Sequence, residues 1–159
     1  MKWTAKALLV CGLLLYAVSM FLPWFAPLHL GCNTTYWSFK AEYYCTTNPP
    51  LYGEAIFLDY WSSYSIGTAF FVSQILTFLV GFLTLLKKVK RKYELMLLGL
   101  TSFFSTIPIG VIILHSYVLF DYHASQLRFL SGFSIATVAF LLLTASLLTS
   151  LIRNIYPSS

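Results

Sequence analysis

Four long apolar runs divide the chain, and the segments between them differ in length and character. The runs extend from about Ala7 to Phe25, Ser65 to Leu86, Leu95 to Phe120 and Phe129 to Ile152. Each reaches the roughly 20 predominantly apolar residues that a helix needs to cross a bilayer. The connection after the second run is short and basic, which predicts antiparallel neighbours. The connection from 26 to 64 is too long for a simple link, and its period changes. Trp37, Phe39, Ala41, Tyr43 and Cys45 alternate with Ser38, Lys40, Glu42 and Tyr44. A period of two with aromatic enrichment predicts a half-buried strand over Tyr36 to Cys45. Asn48-Pro49-Pro50 then turns the chain, and Tyr52, Phe57, Tyr60, Trp61 and Tyr64 lead it back toward the second apolar run.

Composition fixes the solvent. Of 159 residues, 58% are hydrophobic and 9% are charged, against about 25% charged in ordinary soluble domains. So few charges leave a water-facing surface uncovered. The expected fold is therefore an all-α integral membrane protein, one domain over 1–159. It is a four-helix transmembrane bundle with a small disulfide-closed, β-containing extracytoplasmic cap over 26–64. A secretory signal is the rival reading of the first run, since Lys2 and Lys6 precede it. No small-residue cleavage site follows Leu22-Pro23-Trp24-Phe25, so the run is expected to persist as a helix. Pro23 is expected to end or bend it, and Trp24 to join the interfacial aromatic belt.

Charge placement sets orientation and removes one function class. Five of the ten cations form the cluster Lys87, Lys88, Lys90, Arg91 and Lys92. With Lys2, Lys6 and Arg153 they fall on one side of the predicted crossings. Lys40 and Arg128 fall on the other, among Glu42, Glu54, Asp59 and Asp121. Excess cations mark the cytoplasmic side, so both termini are expected there, in a cell membrane, with 26–64 outside. A basic run between apolar segments serves orientation, and no nucleic-acid partner is expected.

Helices in lipid associate through small residues and a few polar contacts. Ser65, Ala69, Ser73, Thr77 and Gly81 recur at four-residue spacing in the second run, and Gly132, Ala136 and Thr144 at related spacing in the fourth. The first run offers Ala7, Cys11 and Ser19. Packing within the bundle and contact with another subunit both account for such stripes. Ser105 and Thr106 precede Pro108 in the third run, where hydroxyls are expected to satisfy backbone groups that the ring frees.

Cys32 and Cys45 both lie in the outer segment, where disulfides persist. Their pairing is expected to stabilise the cap by about 3 kcal/mol; two unpaired thiols are the alternative. Cys11 sits in an apolar run as a small hydrophobe. Asn33-Thr34-Thr35 is an N-glycosylation acceptor sequence. His115, Asp121 and His123, with His29, are the only candidates for a metal, haem or quinone site. His115 and His123 stand eight residues apart, and structural histidines at the lipid interface are the commoner case. The sequence contains no nucleophile elbow, no Gly-rich phosphate loop and no internal repeat. Catalysis and cofactors are therefore not expected.

An aromatic, cysteine-paired strand segment between the first two of four helices resembles the claudin and peripheral-myelin tetraspan layout. The resemblance covers the topology, Trp37, and Cys32 with Cys45. In that family the Trp and Gly-Leu-Trp motif precedes both cysteines, whereas Trp37 stands between them here. The resemblance implies a small outer sheet used for contacts between proteins. Three functions follow as expectations. The first is a non-catalytic accessory or structural subunit of a larger membrane complex, partnered by the bilayer and by other integral membrane proteins. The second is a respiratory-type subunit using His115 or His123. The third is a claudin-like adhesion protein.

Overall fold

The computed structural model describes residues 3–29, 32–37, 40–46, 49–56, 65–86, 91–118 and 127–155. Four helices carry most of the described chain: α1 (Trp3–Met20), α2 (Ser65–Leu85), α3 (Arg91–Val118) and α4 (Ser131–Ile155). Three of them, α1, α3 and α4, contain stretches long and apolar enough to cross a membrane. In α2 the shorter stretch Phe70–Leu85 is apolar. Five strands make one sheet: β1 (Phe25–His29), β2 (Cys32–Tyr36), β3 (Lys40–Cys45), β4 (Leu51–Ile56) and β5 (Leu127–Phe129).

Helix α1 is rich in Leu and Ala, both strong helix formers, and it stops at Met20, ahead of Pro23. The residue before a proline is pushed out of the helical region. The last turn tightens instead, with Phe21 N donating to Val18 O (3.1 Å) and Leu22 N to Ser19 O (3.2 Å). Helix α3 runs on through Pro108. The hydroxyls of Ser105 and Thr106 donate to the carbonyls of Ser102 (2.7 Å) and Phe103 (2.6 Å). The carbonyl that the ring deprives of its partner is that of Phe104, so neither hydroxyl takes the role the sequence suggested for it.

Neighbouring helices are antiparallel around the bundle. On α1 and α4, Ala5 meets Ser146, Gly12 lies against Leu143, and Pro23 meets Gly132. On α1 and α2, Leu13 lies against Gly81 and Tyr16 against Phe78. This order brings the N-terminal turn of α1 and the C-terminal turn of α4 to one end of the bundle, opposite the sheet. Tyr16, Trp24, Phe70, Ile112, Ala136 and Ala139 form the core nearer the sheet; Leu9, Leu13, Leu98 and Leu143 form the core nearer the termini. Most buried hydroxyls bond within their own helix, as Ser73 does to Phe70 O and Thr77 to Ser73 O, both at 2.8 Å. Lipid offers no water to them, so they are satisfied locally.

The sheet has the order β4-β3-β2-β1-β5, with every pairing antiparallel. The single strand expected over 36–45 is instead two strands. β2 and β3 pair from Cys32–Cys45 to Tyr36–Ala41, and the chain reverses between them around Trp37. Alternation alone does not reveal a hairpin, because both arms keep the same period. Proline shapes β1 as well. Its ladder to β2 joins Phe25–Tyr36, Leu28–Asn33 and His29–Cys32 but skips positions 26 and 27, since Pro27 has no N–H to give. The fifth strand, from the segment before α4, pairs Phe25–Phe129 and Pro27–Leu127 and so joins the two outer connections into one structure.

Candidate interaction surface

The small-residue stripes of α2 and α4 turn inward where they are described, whereas that of α1 does not: Ala7 and Cys11 are exposed and only Ser19 is buried. Ser73, Thr77 and Gly81 are buried, as are Gly132 and Ala136. Ser65 and Ala69 belong to α2 by their backbone, and their side chains lie outside the described residues. Two polar links cross between helices: Ser146 Oγ donates to Ala5 O (2.7 Å), and Ser102 Oγ meets Thr144 Oγ1 at 2.8 Å. The phenol of Tyr16, fully buried, faces Thr77 across the α1–α2 seam.

The junction at the sheet end is tighter still. Trp24, expected at the lipid interface, is fully buried. Its Nε1 donates to Ser19 O at 2.7 Å, a second donor on a carbonyl of the last turn of α1 that also accepts from Leu22 N. Its ring meets Phe70 edge-on, with centroids 5.1 Å apart. Its carbonyl accepts from Leu130 N (2.9 Å), and Pro23 O accepts from Gly132 N (2.8 Å). The exit of α1 thus caps the first turn of α4, whose N–H groups have no partner within their own helix. Gly132 permits this approach, because a Cβ there would lie 2.7 Å from Pro23 O and 2.8 Å from Trp24 Cδ1. Sequence reasoning did not find this latch. Trp24 and Gly132 are far apart in the chain, and neither position carries a local signal of the other.

Outside the bundle, the sheet carries exposed aromatic surface. The register pairs Tyr44 with Tyr52 and Glu42 with Glu54. Residues directly opposite share a face, and so do those two apart. Tyr44 and Tyr52 are 45% and 71% exposed, and Leu51, on the other face of β4, is 56% exposed. The strand that carries Tyr52, β4, ends the sheet order among the described residues. Two exposed tyrosines thus stand at one edge of the described sheet. Asn33 belongs to β2 by its backbone, with its side chain outside the described residues.

The remaining candidates separate. Cys32 and Cys45 are direct ladder partners, while Cys11 is an exposed free thiol on α1. His115 lies in α3 by its backbone, with its side chain outside the described residues, as are Asp121 and His123 entirely. Among the described residues, no group of three or more His, Cys, Asp or Glu side chains is placed to hold a metal. Compared with known proteins, the chain matches no family model and no curated sequence.

Proposed function

We propose that this chain is a non-catalytic four-pass membrane protein that acts as a small accessory subunit of a larger membrane complex, docking its partner on the outer sheet. The observation that carries the reading is the exposed Tyr44–Tyr52 pair. Hydrocarbon faces of the helices are covered by lipid, but two exposed tyrosines that share one face of a sheet lie beyond the apolar helices. Tyrosine is enriched at contact surfaces because it combines apolar area with a polar tip. The small-residue stripes of α2 and α4 are occupied inside the bundle where they are described, which directs attention to the exposed apolar area of the sheet.

In this reading all four helices cross the membrane, both termini are cytoplasmic and the sheet is outside. The antiparallel order supports an even number of crossings. Lys6 and Arg153, on the terminal turns of α1 and α4, stand at the end opposite the sheet, in line with the positive-inside rule. A disulfide between Cys32 and Cys45 belongs to the same reading. Opposed Cα atoms in an antiparallel pair lie about 4.5–5.5 Å apart, within the disulfide range of about 4.4–6.8 Å. Alkylation before reduction is expected to label Cys11 alone, and labelling of all three cysteines refutes the bond.

Affinity purification in mild detergent tests the main proposal. Wild type is expected to bring down a stoichiometric membrane partner, and the Tyr44→Ser, Tyr52→Ser double variant to lose it while remaining folded. Wild type that purifies as a lone monomer overturns the proposal. A second reading, claudin-like adhesion, is favoured by the union of both outer connections in one sheet. It predicts cross-links between sheets on adjoining cells, where the subunit reading predicts them within one membrane.

A further inference from the structure

Where α1 and α4 close completely, α1 and α2 part. A groove of about 540 Å³ opens between them, walled by Val10, Leu14 and Ala17 on α1 and by Leu79, Phe82 and Leu85 on α2. Every side chain lining it is apolar. From Val10 to Ala17 the helix rises about 10 Å, so the groove takes an extended hydrocarbon segment of about that length. It runs toward the bundle end that carries the termini, as the pairing of Leu13 with Gly81 fixes.

Charge at that end selects the occupant. Lys6 is four residues before Val10, on the same helix face and one turn past the groove's rim. It is half-buried, and side chains on a helix lean toward its N-terminus, which carries the ammonium outward from the groove. Trp3, 91% exposed, lies one turn beyond, at the level where indoles settle among headgroups. In the sequence a basic run begins at Lys87, two residues after Leu85, the last residue of α2. We propose that the α1–α2 groove holds an acyl chain of one anionic phospholipid, whose phosphate is met by Lys6. The proposal goes beyond the accessory-subunit reading and does not depend on what the outer sheet binds.

The test uses the full chain in mild-detergent micelles containing equal amounts of dioleoyl phosphatidylglycerol and dioleoyl phosphatidylcholine, with retained lipid counted by native mass spectrometry. Wild type is expected to retain one phospholipid, the anionic one favoured about fivefold, the effect of roughly one cation near a membrane surface. Lys6→Gln is expected to bring that ratio toward one. Leu14→Trp, at a position 62% exposed, fills the groove and is expected to abolish retention of both lipids. Leu79→Trp does the same from the opposite wall and serves if the first variant fails to fold. No retained lipid, equal retention of the two lipids, or an unchanged ratio in Lys6→Gln overturns the proposal. So does full retention in the folded tryptophan variants, or a photo-cross-linker at position 14 that captures a neighbouring polypeptide in native membranes.

Discussion

Two seams run along α1, and they are built by different means. Toward α4, Gly132 lets the carbonyls of Leu22 and Pro23 approach its backbone, Gly12 receives Leu143 beside the carbonyl of Ala139, Ser146 bridges to Ala5, and Trp24 locks the sheet end. Toward α2, contact depends on side-chain tips, Leu13 on Gly81 and Tyr16 on Phe78, and a groove remains beside them. The glycines make the difference plain. A Cβ at Gly132 and one at Gly81 would each meet their nearest atom at 2.7 Å, but that atom is a backbone oxygen in the first case and the end of a leucine in the second. In lipid, where apolar burial gives helices little reason to associate, a seam is firm when its contacts involve backbone and yielding when they involve rotatable side chains.

Four substitutions test this contrast through unfolding in detergent, followed by circular dichroism. Trp24→Ala removes a buried ring and the bond to Ser19 O, and is expected to cost about 3–5 kcal/mol. Gly132→Ala pushes a methyl group into carbonyl oxygens that cannot move without parting α1 from α4, and is expected to cost about 2 kcal/mol. Ser146→Ala deletes the bridge to Ala5 O, whose carbonyl is also in helical bonding, with an expected loss of about 0.6 kcal/mol. Gly81→Ala displaces only Leu13, which has the open groove to turn into, and is expected to cost less than about 0.5 kcal/mol. If Gly81→Ala proved as damaging as Gly132→Ala, the distinction between the seams would fail.

The parts legible in the sequence were those set by composition over many residues. Apolar runs announce helices because lipid leaves an unpaired backbone no partner, and the small-residue spacing at Ser73, Thr77 and Gly81 marked a face that the structure buries. The parts that escaped are set by pairing between distant segments. Nothing near Trp24 declares that Leu130 and Gly132 will bond to its turn. β5 is three residues long, too short for a periodic signal, and exists because Phe25 offers it a ladder. The hairpin between β2 and β3 escaped for another reason: the aromatic alternation of the sequence runs on past Trp37, where β2 has already ended, and so reads as one strand. The exposed pair Tyr44 and Tyr52 needed the β3–β4 register, because sequence alternation tells which residues share a face only within one strand.

The pairing of Phe25 with Phe129 also carries a consequence for biosynthesis. The inner partner, β1, leaves the ribosome early, while β5 is made only after three of the four helices. Until then Trp24 has neither Leu130 nor Gly132 against it, and the exit of α1 stands open. Completion of the cap is therefore a late event that reports on insertion of the final helix. A nascent chain stalled before Phe129 has Trp24 against Phe70 alone and the β1 edge without its β5 partner.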